Sequence, residues 1–182
     1  MWQTIGMLEF TSVARGIYTV DRMVKSAQVE IVTAISTCPG KYIAIVTGDV
    51  AAVESSIETG QEEAGEYIVD AIVIPNVTPL IFPAIAGATM PDTIEAIGII
   101  ESFSLSAMVI AADAALKAAN LSPLELRLGT GLGGKAYFTF TGDLAAVQAG
   151  ADAGVNITGE KGLLLDAEVI PSPSEQVVKV LL

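Results

Sequence analysis

The sequence predicts an α/β (α+β) chain of two tandem β-α-β-β-α-β domains, each a four-stranded antiparallel sheet with helices. Two observations carry that prediction: the chain repeats itself in order, and each copy alternates β-branched runs with helical stripes. Ile5-Gly6-Met7-Leu8-Glu9 returns 92 residues on as Ile97-Gly98-Ile99-Ile100-Glu101, and Asp21 and Lys25 return as Asp113 and Lys117. Gly40-Lys41 returns 94 residues on as Gly134-Lys135. At the same offset Thr47-Gly48-Asp49-Val50-Ala51-Ala52-Val53 returns as Thr141-Gly142-Asp143-Leu144-Ala145-Ala146-Val147. Asp70-Ala71-Ile72-Val73-Ile74-Pro75 returns 96 residues on as Asp166-Ala167-Glu168-Val169-Ile170-Pro171. Identities number 21 over 54 aligned positions, and coincidental Ala/Val/Ile richness does not produce ordered matches separated by two small gaps. The copies are assigned residues 1–90 and 91–182, the boundary falling in the Gly/Pro/Thr-bearing stretch from Ala86 to Glu95.

The elements of one copy follow in order. Thr4 to Phe10 is a short apolar strand. Thr11 or Ser12 caps a helix running to about Ala27, with Ile17, Val20 and Val24 on one face. Val29 to Thr37 is a β-branched run and hence a strand. Cys38-Pro39-Gly40 is a turn, and Lys41 to Thr47 completes a hairpin. Asp49 caps a second helix, with Val50, Val53 and Ile57 striping its buried face. Glu54, Glu58 and Glu62 line another face; like charges at this spacing repel slightly and mark a solvated surface. Tyr67 to Pro75 is the fourth strand, and the second copy repeats the order.

Composition removes several functions. The chain has 182 residues, 9 Lys+Arg against 21 Asp+Glu, no His and one Cys. Without His there is no Ser-His-Asp or Cys-His catalytic arrangement and no His metal ligand. One Cys excludes an intrachain disulfide framework and a single-chain Cys₄ metal site. A net charge of −12 argues against nucleic acid or an anionic membrane as partner. The longest uncharged run, Ala71 to Pro91, is broken by Pro75, Pro79 and Pro83, so no continuous membrane helix is expected. There is no basic leader, Glu9 comes early, and the unpaired Cys suits a reducing compartment; the expectation is a cytoplasmic protein. Charged residues make up only 16% and hydrophobic ones 52%, so surface hidden in an assembly is expected.

The combined pattern resembles the bacterial microcompartment shell domain. It comprises the Ile-Gly-x-x-Glu opening, a helix ending around Lys25 or Lys117, a hairpin turn with Gly-Lys, Gly-Asp-Val/Leu-Ala-Ala-Val, and a closing strand ending Val-Ile-Pro. The resemblance covers both halves and almost the whole chain. Two copies in one chain look like the tandem-domain class, which implies a homotrimer imitating a six-domain ring. It further implies a flat tile packed edge to edge with other microcompartment shell proteins around enclosed enzymes, a place in the shell, and no catalytic role of its own. By position in the family pattern, Lys25 and Lys117 take the tile-edge role. The turn between the second and third strands faces the ring axis in the family, so Thr37, Cys38, Pro39 and Gly40 of the first copy and Gly131, Leu132 and Gly133 of the second are expected to line a pore. Lys41 and Tyr42 are expected beside it; of the two only the Lys is shared, as Lys135.

The two turns differ most between the copies. The first is stiffened by Pro39, which fixes φ; the second, Gly129 to Lys135, is two residues longer and holds four Gly in six positions. Cys38 admits three readings: a small buried hydrophobe, a bare thiol lining the pore, or a ligand. One thiol per chain cannot hold a cluster, but three around a threefold axis can hold three irons of a [4Fe–4S] cluster, and Pro after a ligand Cys is a familiar pattern. Zinc is a weaker candidate for such a site. The resemblance extends to a tandem-domain member carrying such a cluster at its pore from a matching Cys, which implies electron or cluster transfer across the shell, with enclosed redox enzymes as possible partners. The alternative is a cluster-free tile whose pore passes small metabolites. A soluble enzyme is the third reading, and its best feature is thin: Gly129 and Gly134-Lys135 meet the phosphate-loop spacing, but Ala136 replaces the Ser/Thr that holds magnesium, and a strand follows. Paired carboxylates such as Glu62-Glu63 lack a partner base.

Overall fold

A computed structural model describes residues 3–89, 91, 93–160 and 162–181. The first unit, Met1–Pro79, contains β1 (Gln3–Phe10), α1 (Val13–Ser26), β2 (Glu30–Thr37), β3 (Lys41–Gly48), α2 (Val50–Ala64), a 3₁₀ turn (Gly65–Tyr67) and β4 (Ile68–Val77). Its sheet is antiparallel in the order β2-β3-β1-β4. The second unit, Leu80–Leu182, opens with a short helix α3 (Ile81–Ala86) and continues with β5 (Ala96–Ser102), α4 (Leu105–Ala118), β6 (Ser122–Leu128), β7 (Ala136–Gly142), α5 (Leu144–Glu160), β8 (Leu164–Ile170) and α6 (Glu175–Leu181). Its sheet has the matching order β6-β7-β5-β8. The β-α-β-β-α-β order expected from the repeat is present twice. Division by packing falls after Pro79, whereas the repeat places the boundary at residues 90/91; the difference is α3, which packs along β6 and so belongs to the second unit. Two helices, α3 and α6, were not expected from the sequence.

Local chemistry explains the elements. Ser12 and Ser104 accept from the backbone N–H groups of Arg15 and Ala107, capping α1 and α4 at equivalent positions. Asp143 caps its helix, accepting from the Ala146 N–H at 2.8 Å, while Asp49 makes no such side-chain bond. The expected helix faces are shifted. On α1 the buried residues are Gly16, Thr19, Val20 and Met23, and Ile17 stands 56% exposed; on α2 Val53 and Ile57 are buried but Val50 is exposed. At Gly16 the helix lies against the sheet, where a Cβ would sit 2.5 Å from the Tyr42 ring, and Thr19, Val20 and Met23 continue that buried side.

The core of the first unit joins Leu8 and Phe10 of β1, Ala44 and Val46 of β3, Met23 of α1 and Val53 of α2. Leu8, Phe10, Met23, Val46 and Val53 each stabilise by about 1.5–3 kcal/mol when fully buried. In the second unit the strand residues are larger: Phe138 and Phe140 stand where the repeat has Ala44 and Val46, their rings stacked at 5.1 Å. The ring of Phe140 covers Gly98, the cross-strand partner, and a Cβ there would fall 2.3 Å from it. Gly98→Ala is therefore expected to cost about 1–3 kcal/mol by overpacking, read as a lower denaturant midpoint with unchanged slope.

The sheet faces turned away from the packed helices also differ in chemistry. Thr33, Ile35 and Ile43 of the first repeat become Glu125, Arg127 and Tyr137. The Tyr137 hydroxyl donates to Glu125 Oε2 at 2.6 Å, and Arg127 Nη2 pairs with Glu125 Oε1 at 2.7 Å. Burial, and then the bond to Glu125, push the Tyr137 phenol up to about 12. A phenol raised in the folded state contributes stability present in full below the unfolded value near pH 10 and lost as pH climbs through about 12. Spectrophotometric titration should show a late tyrosinate component near pH 12 that Tyr137→Phe removes.

Candidate functional site

Each unit carries one candidate site, the tip of its β2–β3 or β6–β7 hairpin. In the first unit the β2–β3 ladder closes at the pair Thr37–Lys41, leaving Cys38, Pro39 and Gly40 as the turn. Thr37 is buried, Cys38 is half-buried with a free thiol, and Pro39 and Gly40 are exposed. Gly40 has φ +79°, the left-handed region, with nothing within 4 Å of where a Cβ would be, so the tip opens onto free space. In the second unit the ladder closes at Leu128–Ala136 and the loop between them is longer. Gly129, Gly131, Gly133 and Gly134 all take positive φ, from +63° to +90°. Two backbone bonds shape it, Leu132 N–H to Gly129 O and Lys135 N–H to Leu132 O, both 3.3 Å. Leu132 is half-buried between the exposed Gly131 and Gly133.

One ion pair anchors each tip, and it is repeated. Lys41 Nζ reaches Glu9 Oε1 on β1 at 2.6 Å, and the Glu9 side chain is only 5% exposed. Lys135 meets Glu101 on β5 in the same way. The two glutamates are the Glu of the repeated opening motif, and the two lysines follow the turn glycine in both copies. The sequence shows all four residues as repeated; it does not show that they pair, because the contact links strands 32 and 34 residues apart. Tyr42 is not beside the tip. It is buried against Gly16, with its ring 6.3 Å from that of Phe10. Alternation along the strand sends it to the helix face while Lys41 points the other way.

Lys25 and Lys117 lie elsewhere, in the last turns of α1 and α4. Each holds an aspartate one turn back at 2.6 Å, Asp21 and Asp113 respectively. Lys25 is exposed, whereas the Asp113 side chain is 8% exposed. Among the described residues no group of three or more His, Cys, Asp or Glu is placed to hold a metal ion, so a single chain offers Cys38 as one ligand and no complete set.

With this geometry established, comparison with known proteins is decisive. The BMC domain matches residues 4–77 and again residues 96–173. The chain belongs to the BMC-domain family. It is 41% identical over 175 residues to the bacterial microcompartment shell protein PduT of Citrobacter freundii, covering 96% of this chain and 95% of the relative. A single BMC domain is matched by PduA of the same organism, 36% identical over 88 residues, 48% of this chain and 91% of the relative. Among solved structures, a microcompartment protein from Desulfitobacterium hafniense superposes with a TM-score of 0.94 at 44% identity, covering 98% and 99% of the two chains. A fused permuted hexameric shell protein of the RMM microcompartment shares the fold at a TM-score of 0.65 and 17% identity, covering 87% and 84%. This BMC chain is thus a shell tile built from two tandem domains.

The two kinds of lysine separate by stability. Lys41→Ala strands a buried Glu9 carboxylate and is expected to cost about 1–3 kcal/mol, whereas Lys25→Ala breaks an exposed i,i+4 pair and should stay within about 0.5 kcal/mol. Thermal melts of the two variants side by side check this.

Proposed function

We propose that three copies of this chain close into a six-domain ring, and that the tip turns line its axis: Thr37 to Gly40 from one repeat, Gly131 to Gly133 from the other. Three Cys38 thiols would then face one another and hold a [4Fe–4S] cluster by three irons, the fourth iron taking another ligand. The observation that carries this reading is the place of Cys38: a free thiol on a hairpin tip, beside a glycine with open space around it, in a chain that resembles a shell protein over its full length. Thiolate is the donor such clusters take, and one per chain calls for several chains. When bound, the cluster supplies one-electron transfer at the centre of the tile, toward redox enzymes enclosed by the shell. The chain's own part is to hold the three sulfurs apart at a fixed distance, through Pro39 and the Lys41–Glu9 anchor behind it.

Lys25 and Lys117 are assigned to the tile edge, where they meet neighbouring shell tiles; PduA, which this chain resembles in one domain, is itself a microcompartment shell protein. Location in the shell and the absence of a catalytic role follow from the same reading. Among the described residues no helix is long and apolar enough to cross a membrane. The second reading, a cluster-free tile whose pore passes small metabolites, draws on the glycine-rich tip of the second repeat, which leaves room at the axis.

Anaerobic purification with mass and iron–sulfide analysis tests both. The expected result is a particle of three chains with about four irons per particle, and a Cys38→Ser particle of the same mass without iron. An iron-free trimer after reconstitution leaves the metabolite pore; a single-chain particle removes the ring.

A further inference from the structure

The first helix of each repeat runs the length of its sheet. β1 ends at the pair Phe10–Tyr42, next to the hairpin tip, and α1 starts there; β2 begins at the pair Glu30–Thr47, at the far end, where α1 has just ended. In the second unit α4 joins the pairs Ser102–Ala136 and Ser122–Thr141 in the same way. Each helix therefore leads from the tip to the opposite end of its unit, and Lys25 and Lys117 stand in its last turn there.

Three apolar residues share one flank of this helix in both repeats. On α1 they are Val13, Ile17 and Val24, at the spacing that lines one side of a helix. Gly16 faces the sheet and Met23 leans toward α2, where a Cβ on Gly60 would fall 2.9 Å from its sulfur. At about 100° per residue the three lie on the side turned away from α2. With the offset of 92 that relates the two helices, they correspond to Leu105, Val109 and Leu116 of α4. There the flank is dry within a single chain: Leu105, Val109 and Leu116 are 1%, 0% and 6% exposed, and Asp113 beside them is buried too. On α1 Ile17 is 56% exposed, Val13 and Val24 are half-buried, and Asp21, the equivalent of Asp113, is exposed. The difference belongs to the flank. The first residues of α2 and α5, Val50 and Leu144, are exposed in both repeats, at 43% and 48%.

In a ring whose tips face the axis, a helix that leads from tip to rim lies as a spoke, and its flank faces the adjoining domain. Equivalent places in a closed ring have equivalent surroundings. A flank that is dry in one repeat and wet in the other lacks its neighbour, and another molecule supplies it. We propose that the Val13, Ile17 and Val24 flank of α1 is the surface on which a second copy of this chain docks, with Ile17 as its anchor. This rests on the ring reading above and adds to it the surface by which one chain holds the next. A few well-buried anchors carry most of the binding energy of an interface, and Ile17, the most exposed of the three, has the most water to lose.

The test is the concentration dependence of assembly of the full chain, by sedimentation or native mass, for wild type, Ile17→Asp, Ile17→Lys and Val50→Asp. Both positions are exposed in the single chain, so circular dichroism and the melt of the dissociated protein are expected to hold. Either charge at Ile17 is expected to weaken association by roughly 30-fold or more, because the contact is apolar. Val50→Asp is expected to assemble as wild type, since that position is exposed in both repeats. An Ile17 variant that assembles as tightly as wild type, or a Val50→Asp loss as large as that of Ile17→Asp, overturns the proposal while the ring stands. A wild type that stays single at every concentration overturns the ring and this proposal with it.

Discussion

The distance between the second helix and the sheet is the constraint on which each domain depends. In the first unit a Cβ on Gly6 of β1 would fall 2.6 Å from Ile57, and one on Gly60 of α2 would fall 2.4 Å from Leu8. In the second unit Gly154 of α5 stands in the same relation to Ile100, at 2.3 Å. Real carbon atoms do not approach so closely, so a side chain at these positions would push the helix away from the strands. Glycine thus sets the helix against the middle strands β1 and β5. Because β3 and β7 pair with those strands, the positions of the hairpin tips follow from it.

Within that fixed spacing the repeats fill the core differently. Val46 and Ile57 in the first unit become Phe140 and Ala151 in the second, and Ala44 and Ser56 become Phe138 and Gly150. Volume has moved from the helix to the strand while the layer keeps its thickness. Cores tolerate such exchange as long as total volume and pattern are kept. This is why 33 of 54 aligned positions can differ and the two sheets still show the same strand order.

The fold was legible because the repeat shows the pattern twice. Ser12 and Ser104, the Gly-Asp starts of α2 and α5, and the β-branched runs gave element types and nearly their ends. Ile17 and Val50 misled for a physical reason: apolar character marks a residue that can be buried, and on α1 the buried stripe is set by Gly16 and Thr19, where the sheet comes close. The helices α3 and α6 were hidden by proline, Pro79 and Pro83 at the one and Pro171 and Pro173 before the other; Pro83 sits inside α3 all the same, in its first turns, where a missing N–H costs least. At the site, the turn residues could be placed by position, but the Lys41–Glu9 anchor needed the register of β1 against β3, which no local signal carries.

The difference between the two tips has a geometric consequence. A ring of six equal modules would present six equal turns to its axis. With Cys38 on one turn and a glycine loop on the other, the proposed trimer would present three thiols and three glycine-rich loops in alternation. Six thiols would crowd the centre of the proposed ring, which a four-iron cluster would fill with three or four ligands, whereas three spaced by glycine would leave both room and an open iron. Fusing two modules into one chain is what permits that alternation, since a single repeated module cannot differ from itself.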